Sequence, residues 1–259
     1  LFIRAEIGGD KPNAKLHIVV ADPADGTIVA DELLPAGMRK VRTAIATRAE
    51  HLWSPNDPYL YDVTATLEFG AAKSQGKQEK LQQESQEIQE KPAKSQEKQD
   101  IVRSYCAFRT VEIKPDLKGI ARFHLNGKPV FLKGVLDQGY WPDGLLTAPS
   151  DEALVHDIIA MKESGFTMLR KHIKIESARW YYHCDRLGML VWQDAVSGGG
   201  EYNAWVTNRK PTLMRATWNK YRDDTAKHFA ALGADDSTYR RDWSRTCDAM
   251  VHMLAGHPS

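Results

Sequence analysis

A chain of 259 residues with 42% hydrophobic content can bury one large core or two ordinary ones. Lys and Arg number 35 against 34 Asp and Glu, so no excess charge draws the chain toward nucleic acid or an anionic membrane, and no run of about 18 apolar residues is present to span one. Cys106, Cys184 and Cys247 are far apart and form no CxxC pair, which argues against a zinc or dithiol site and for buried free thiols; LFIRAEIGGD at the start lacks a signal-peptide pattern.

The first ~70 residues read as strands separated by turn clusters. Leu16 to Ala21, Thr27 to Ala30, Val41 to Thr47 and Tyr61 to Phe69 are alternating or β-rich, and Asp22-Pro23 and Asp25-Gly26 supply turns. A small antiparallel sandwich is expected. Residues 71–100 break the pattern with a Lys, Gln, Glu and Ser tract, loosely repeated as KSQGKQEK, ESQEIQEK and KSQEKQD and free of aromatics. Such a composition cannot bury enough apolar surface to offset chain entropy, so it is expected to be a solvated insertion in a hairpin. Tyr105 to Ile113 then returns as strand, and the first domain is expected to close near Pro115. Arg122 to Phe131 forms a second hairpin pattern turning at Asn126-Gly127.

From Phe131 to Asp194 the pattern alternates strand and helix. Val130-Phe131-Leu132, Thr167-Met168-Leu169 and Met189-Leu190-Val191 are short apolar strand candidates. A helix between the first two is signed by Ser150 as cap, Asp151 and Glu152 in the first turn and a Leu154, Ile158, Met161 stripe before Gly165. The second runs from Ser177 to Leu187, with Trp180, Cys184 and Leu187 on one face and Gly188 as stop. Alternating β and α predicts a parallel sheet with right-handed crossovers, in which ligands bind beyond the carboxyl ends of the strands. Asp137-Gln138, Arg170-Lys171-His172 and Trp192-Gln193-Asp194 stand at those ends. Gly198-Gly199-Gly200 marks a loop. Two further helical stretches carry Met214, Trp218 and Tyr221, then Trp243, Cys247, Met250 and Leu254, whose spacing predicts a packed stripe.

LWSPNDPYLYDV at Leu52 to Val63, AFRTVEI at Ala107 to Ile113 and FHLNGKPVFLKGV at Phe123 to Val135 closely resemble the segments joining sandwich to barrel in glycoside hydrolase family 2, the family of β-galactosidases, β-glucuronidases and β-mannosidases. The resemblance continues through DEALVHDIIAMKESGFTMLRKH and WYYHCDRLGMLVWQDA and covers nearly everything except the Gln-rich insertion. It implies an immunoglobulin-like β-sandwich over 1–116, followed over 117–259 by the N-terminal part of a (β/α)8 TIM barrel. It also implies a retaining glycosidase that hydrolyses terminal O-glycosidic bonds, with a carbohydrate as partner, no metal, no cofactor, and homo-oligomerisation open to the full-length protein. Neither nucleic acid nor membrane is an expected partner, and an extracellular or periplasmic location is what glycan degradation would suit.

Members place the acid/base in an Asn-Glu pair after the fourth strand and the nucleophile, a second Glu, on a later one. The family's Asn-His-Pro-Ser before that strand has its counterpart in Gly256-His257-Pro258-Ser259, and no Asn-Glu dipeptide occurs in the chain. Retention needs two carboxyl groups about 5–5.5 Å apart, so these residues alone are expected to be inactive. The alternative is a non-catalytic carbohydrate-binding or scaffold remnant. Three strands without their barrel partners are further expected to expose apolar surface and to favour self-association.

The resemblance implies substrate-binding roles at the rim. Asp137 and Gln138 follow strand one, although Asp-Gln departs from the Asn-Arg-His-Glu string of typical β-galactosidases; a turn-forming Asp137 is the alternative. Arg170 matches the family arginine at the end of strand two, binding a carboxylate or sugar hydroxyl, or serving as a structural ion pair. His172 lies one residue later than the family's Ser-His pattern, and a one-residue shift reverses side-chain direction. Trp192 offers a stacking wall for a pyranose or a core aromatic. Asp194 matches an acidic position after strand three with a hydrogen-bonding or electrostatic role, and Trp141 and Asp143 sit in a YWPDG loop at the pocket lip. Glu176 and Glu201 lack the Asn-Glu context and are not expected to be catalytic.

Overall fold

The computed structural model describes residues 1–8, 13–36, 40–69, 100–196, 209, 213 and 236–259. The Gln-rich tract at 71–99, the Gly198-Gly199-Gly200 loop, Glu201 and the stretch with Met214, Trp218 and Tyr221 lie outside the described residues. The chain divides into two units, Leu1–Trp53 with Tyr59–Phe108, and Ser54–Pro58 with Arg109–Ser259.

The first unit is antiparallel β. Strand β1 (Phe2–Glu6) pairs with β4 (Lys40–Ala44), while β2 (Ala14–Ala21), β3 (Ile28–Pro35), β5 (Tyr61–Phe69) and β6 (Asp100–Cys106) form a four-stranded sheet in the order β3-β2-β5-β6. Period-two alternation explains the core. Ala14, Leu16, Ile18 and Val20 of β2 all turn inward, joining Val41, Ile45, Tyr61 and Cys106, with Ile3 and Ala5 of β1 packed against them. Each buried aliphatic contributes about 1.5–3 kcal/mol of transfer free energy. Strand β5 has the predicted limits. Its partner β6 pairs with it from Tyr61↔Cys106 to Leu67↔Asp100, so the Gln-rich tract falls between two antiparallel neighbours.

Tyr105 to Ile113 is not the single strand that its composition predicts. Strand β6 ends at Cys106 and β7 (Val111–Pro115) begins a new three-stranded sheet with β8 (Ala121–Leu125) and β9 (Lys128–Pro129). Asn126 holds the break: its side chain accepts from the Thr110 amide at 2.9 Å, and its own amide donates to Thr110 O at 2.9 Å. The β8–β9 turn is the predicted Asn126-Gly127, with φ of 51° and 74°, the two positive values a type I′ turn requires.

Three parallel strands follow, β10 (Gly134–Asp137), β11 (Met168–Lys171) and β12 (Leu190–Gln193), in that spatial order. The first lies downstream of the predicted Val130-Phe131-Leu132. Val130 N donates to Phe123 O at 2.8 Å and so prolongs the β8–β9 hairpin, while Phe131 is 76% exposed. An apolar run closing a hairpin cannot be told by periodicity from one opening a parallel sheet.

Helices α1 (Asp151–Glu163) and α2 (Ala178–Leu187) begin and end where their caps predict. Ser150 Oγ accepts from Ala153 N, and Gly188 closes α2 with φ of 72°. Leu154 and Ile158 of α1 and Trp180, Tyr181 and Cys184 of α2 bury against Leu169, with Val135 and Val191 beside them. One face of the parallel sheet is therefore covered by helix. In this cluster burial raises the Cys184 thiol pKa well above the ordinary value, and in the first unit burial pushes that of Cys106 up to about 11.

The stripe on α3 (Ser237–Leu254) is not packed as its spacing predicts. No residue of the helix is fully buried, Trp243 is 42% exposed, and only Leu254 reaches the second unit's core among the described residues. The helix is amphipathic, but it meets the described core only at its last turn.

His183 on α2 carries a testable electrostatic consequence. Burial, and then the Arg186 charge, lower its pKa, and Arg186 Nε donates to its Nδ1 at 3.0 Å. The unfolded chain regains the ordinary value, so below it the unfolded state binds a proton that the folded state refuses. Stability from this group is thus present above the ordinary histidine pKa and falls as pH drops through it toward the folded value. Urea midpoints measured from pH 7.5 to pH 5 should fall in wild type and fall less in His183→Gln; parallel curves would rule the assignment out.

Candidate active-site rim

Strand register decides which side chains share a face. Leu136, Arg170 and Trp192 stand in one row across β10, β11 and β12, and Asp137, Lys171 and Gln193 in the next. Successive residues alternate sides, so these rows face opposite ways. The first row lies on the face that the described helices leave uncovered, where Leu136 is 52% and Trp192 48% exposed. The second turns toward α2, where Lys171 is buried.

On the open face Arg170 grips Asp194. Its Nε donates to Oδ1 at 3.0 Å and its Nη2 to Oδ2 at 3.1 Å, a two-pronged carboxylate contact that fixes the planar guanidinium. This contact holds the Asp194 carboxyl below the usual range and raises the arginine. The arginine is half exposed, so screening leaves the pair more important for orientation than for stability. Trp192 meets Phe123 edge-to-face, with centroids 6.5 Å apart.

At the strand ends Gln138 Nε2 donates to His172 Nδ1 at 2.9 Å, joining the loops after β10 and β11. Trp141 is partly buried and pairs with Leu145 in a short bridge, N to O at 2.8 Å and back at 3.0 Å. Its indole N–H is buried and has no hydrogen-bond partner among the described residues, a state that costs about 1–3 kcal/mol. Asp143 lies exposed in the same loop.

Asp137 faces the other way. One oxygen accepts from Gly139 N at 2.8 Å, as a turn-forming aspartate does, and the other takes Lys171 Nζ at 2.9 Å. Lys171 Nζ also reaches Glu176 Oε1 at 3.1 Å and lies 4.2 Å from the centroid of the Trp180 ring. The Tyr181 hydroxyl, whose pKa burial pushes up to about 12, donates to Gln193 Oε1 at 2.6 Å and accepts from Glu176 N. Gln193 Nε2 donates to the carbonyls of Lys174 and Asp194 at 2.8 and 2.9 Å. All three strand-end loops are thereby linked. No cluster of three or more His, Cys, Asp or Glu suited to a metal occurs among the described residues.

No family model matches the chain. Among curated proteins, Beta-mannosidase B of Aspergillus terreus is 26% identical over 228 residues, covering 84% of this chain and 23% of that protein. Beta-galactosidase of Klebsiella pneumoniae is 28% identical over 157 residues, 60% of this chain and 12% of that protein. Among solved structures, a glycosyl hydrolase family 2 member from Bacteroides cellulosilyticus superposes with a TM-score of 0.59 at 22% identity, over 100% of this chain and 25% of that one. The chain is glycoside hydrolase family 2-like. Bacteroides uniformis beta-glucuronidase 3 shares the same fold, with a TM-score of 0.61 and 17% identity, over 99% of this chain and 26% of that one. The family 2-like chain thus spans at most about a quarter of the length of these proteins.

Of the residues singled out from sequence, Arg170, Trp192 and Asp194 come together on the open face, and Gln138 and His172 meet at the strand ends. Asp137 joins Lys171 and Gln193, which stand at the predicted strand ends, and Lys174 and Tyr181, which sequence reasoning missed, in a set centred on Glu176. The available signal was strand alternation, since Lys171 shares its side of β11 with core residue Leu169. A lysine placed there needs carboxylate partners.

Proposed function

We propose that this chain is part of a retaining glycosidase acting on terminal β-linked sugars, with an immunoglobulin-like sandwich over 1–116 and the first strands and helices of a (β/α)8 barrel over 117–259. The observation that carries this reading is the polar rim at the carboxyl ends of three parallel strands, in a chain similar to proteins named beta-mannosidase, beta-galactosidase and beta-glucuronidase. Gln138, Trp141, Arg170, His172, Trp192 and Asp194 form the sugar-binding side of the site, and Asp137, turned to Lys171 and the Gly139 amide, braces it from behind. Arg170 and Asp194, locked together, offer lone pairs and N–H groups to hydroxyls, and Trp192 offers an apolar face to a pyranose ring.

The two glutamates that such a mechanism requires come, in this proposal, from residues outside these 259, because no Asn-Glu occurs within them. Turnover of nitrophenyl β-mannoside, β-galactoside and β-glucuronide tests this. The 259 residues alone should release no nitrophenolate, whereas the uninterrupted reading frame that encodes them should cleave one of the three. Hydrolysis by the 259 residues, with contaminating enzyme excluded, would refute the assignment of the glutamates. Failure of the whole reading frame on every glycoside would favour a non-catalytic sugar binder.

A further inference from the structure

Glu176 is the point at which two ammonium groups meet. Its Oε1 accepts Lys171 Nζ at 3.1 Å and Lys174 Nζ at 2.6 Å, and its side chain is only 7% exposed. Lys171, 1% exposed, passes on to Asp137 at the end of β10. Lys174 donates to two carbonyls of the loop after β10, Gly139 O and Leu146 O, both at 2.7 Å. The loop is thus held at its start and near its far end by cations that share one carboxylate. Between those points lies the Trp141–Leu145 bridge, so the whole segment is fastened.

The charges balance locally, two ammonium groups against Asp137 and Glu176. Without Glu176, two largely buried cations would face one carboxylate, and neither lysine would have reason to stay turned inward. Gly139 shows how close the approach is. Its φ is +62°, and a methyl group there would fall on Glu176 Oε1, with Lys174 Nζ at 2.8 Å and Lys171 Nζ at 3.1 Å.

We infer that Glu176 is a positioning residue, which acts through Lys171 and Lys174 to hold the loop bearing Gln138 and Trp141 in its sugar-receiving geometry. Glu176 itself touches no sugar, and neither lysine nitrogen is turned to the open face. This inference rests on the carbohydrate reading above for its purpose but not for its geometry, and the two can fail separately.

The test combines hydrogen exchange of the 259-residue chain with ligand-observed NMR using methyl β-mannoside, β-galactoside and β-glucuronide. In Glu176→Gln and Lys174→Met, amides of 138–149 should exchange at least tenfold faster while those of α1 remain at wild-type rates. Affinity for whichever sugar wild type binds should fall at least tenfold, and Lys174→Arg should restore most of both. If Glu176→Gln does not fold, Lys174→Met carries the test, because its side chain lies nearer the surface and its loss leaves the Lys171 bridge in place. Wild-type exchange in 138–149 in the folded variants would overturn the inference. So would a tenfold faster loop with unchanged sugar affinity. If wild type binds none of the three sugars, the carbohydrate reading falls, and loop exchange alone decides whether Glu176 positions the segment.

Discussion

Gly188→Ala should be among the most damaging single substitutions in the second unit, lowering stability by roughly 2–5 kcal/mol. Two costs combine. The glycine ends α2 at φ of 72°, and a side chain in that region costs about 1–2 kcal/mol. A methyl group there would also fall on the carbonyl oxygen of Pro55, with the carbonyl carbon at 2.9 Å and Lys162 Nζ at 3.0 Å, and such overpacking adds about 1–3 kcal/mol. The obstruction is backbone, so no rotamer change relieves it. Lys162 increases the cost, because its Nζ donates to Pro55 O at 2.8 Å and to the Leu187 carbonyl at the end of α2, and relief would break those bonds. Gly165 is the internal control, with φ of +86° and nothing within 4 Å of an added methyl. Gly165→Ala should cost only the conformational part, about 1–2 kcal/mol. Urea denaturation of the two variants checks this, and equal losses would show that the Pro55 contact is not limiting.

The same contact explains why the motif around Pro55 was legible in sequence but its purpose was not. Trp53-Ser54-Pro55-Asn56-Asp57-Pro58 reads as a turn. Its partner, the αL stop of α2, lies more than 130 residues away, and no local pattern joins them. What the sequence carried well was local: the Asn126-Gly127 turn, the Ser150 cap, the Gly188 stop, and β5 with its period-two alternation. What it carried poorly depended on tertiary partners. Val130 to Leu132 is apolar enough for a barrel strand, yet the hydrogen bond to Phe123 claims it for a hairpin. Trp243 and Cys247 have core spacing, yet the helix touches described core only at Leu254.

The rim shows the same division. Arg170, Trp192 and Asp194 could be selected because strand ends are where such folds bind ligands, a rule about topology. The same rule places Asp137, Lys171 and Gln193 at strand ends but not their meeting around Glu176, since these residues are spread from Asp137 to Gln193 and meet only when three strands come into register. Charge offered the available clue. Lys171, Lys174 and Glu176 lie within six residues of one another, and a surface loop would leave them solvated. Register with Asp137 and the packing of Trp180 take Lys171 out of water and make the pairing obligatory.

Asp185→Ala should be comparably destabilising, by about 3–6 kcal/mol, with a structural signature of its own. Asp185 is completely buried on α2 and receives two donors from the last residues of the chain, His257 Nδ1 at 2.6 Å and the Ser259 amide at 3.0 Å. Hydrogen bonds to a charged group contribute about 1.5–3 kcal/mol each, and the substitution removes the acceptor from both donors at once. His257 also packs its ring at 5.4 Å from Tyr181, so its displacement would loosen the residue that links Glu176 to Gln193. The Ser259 carbonyl in turn accepts from the Val191 amide at 2.9 Å, continuing the hydrogen bonding of β12 beyond its pairing with β11. Asp185 therefore does more than satisfy two donors: it seats residues 257–259 along the β12 edge of the parallel sheet. In Asp185→Ala the Val191 amide should lose its exchange protection before Leu169, which lies inside the sheet and keeps its neighbours on both sides. Asp185→Asn retains one acceptor oxygen for the Ser259 amide and should cost less than half as much. If both amides lose protection together in Asp185→Ala, the aspartate supports the whole unit rather than the edge, and the assignment of a local latch fails.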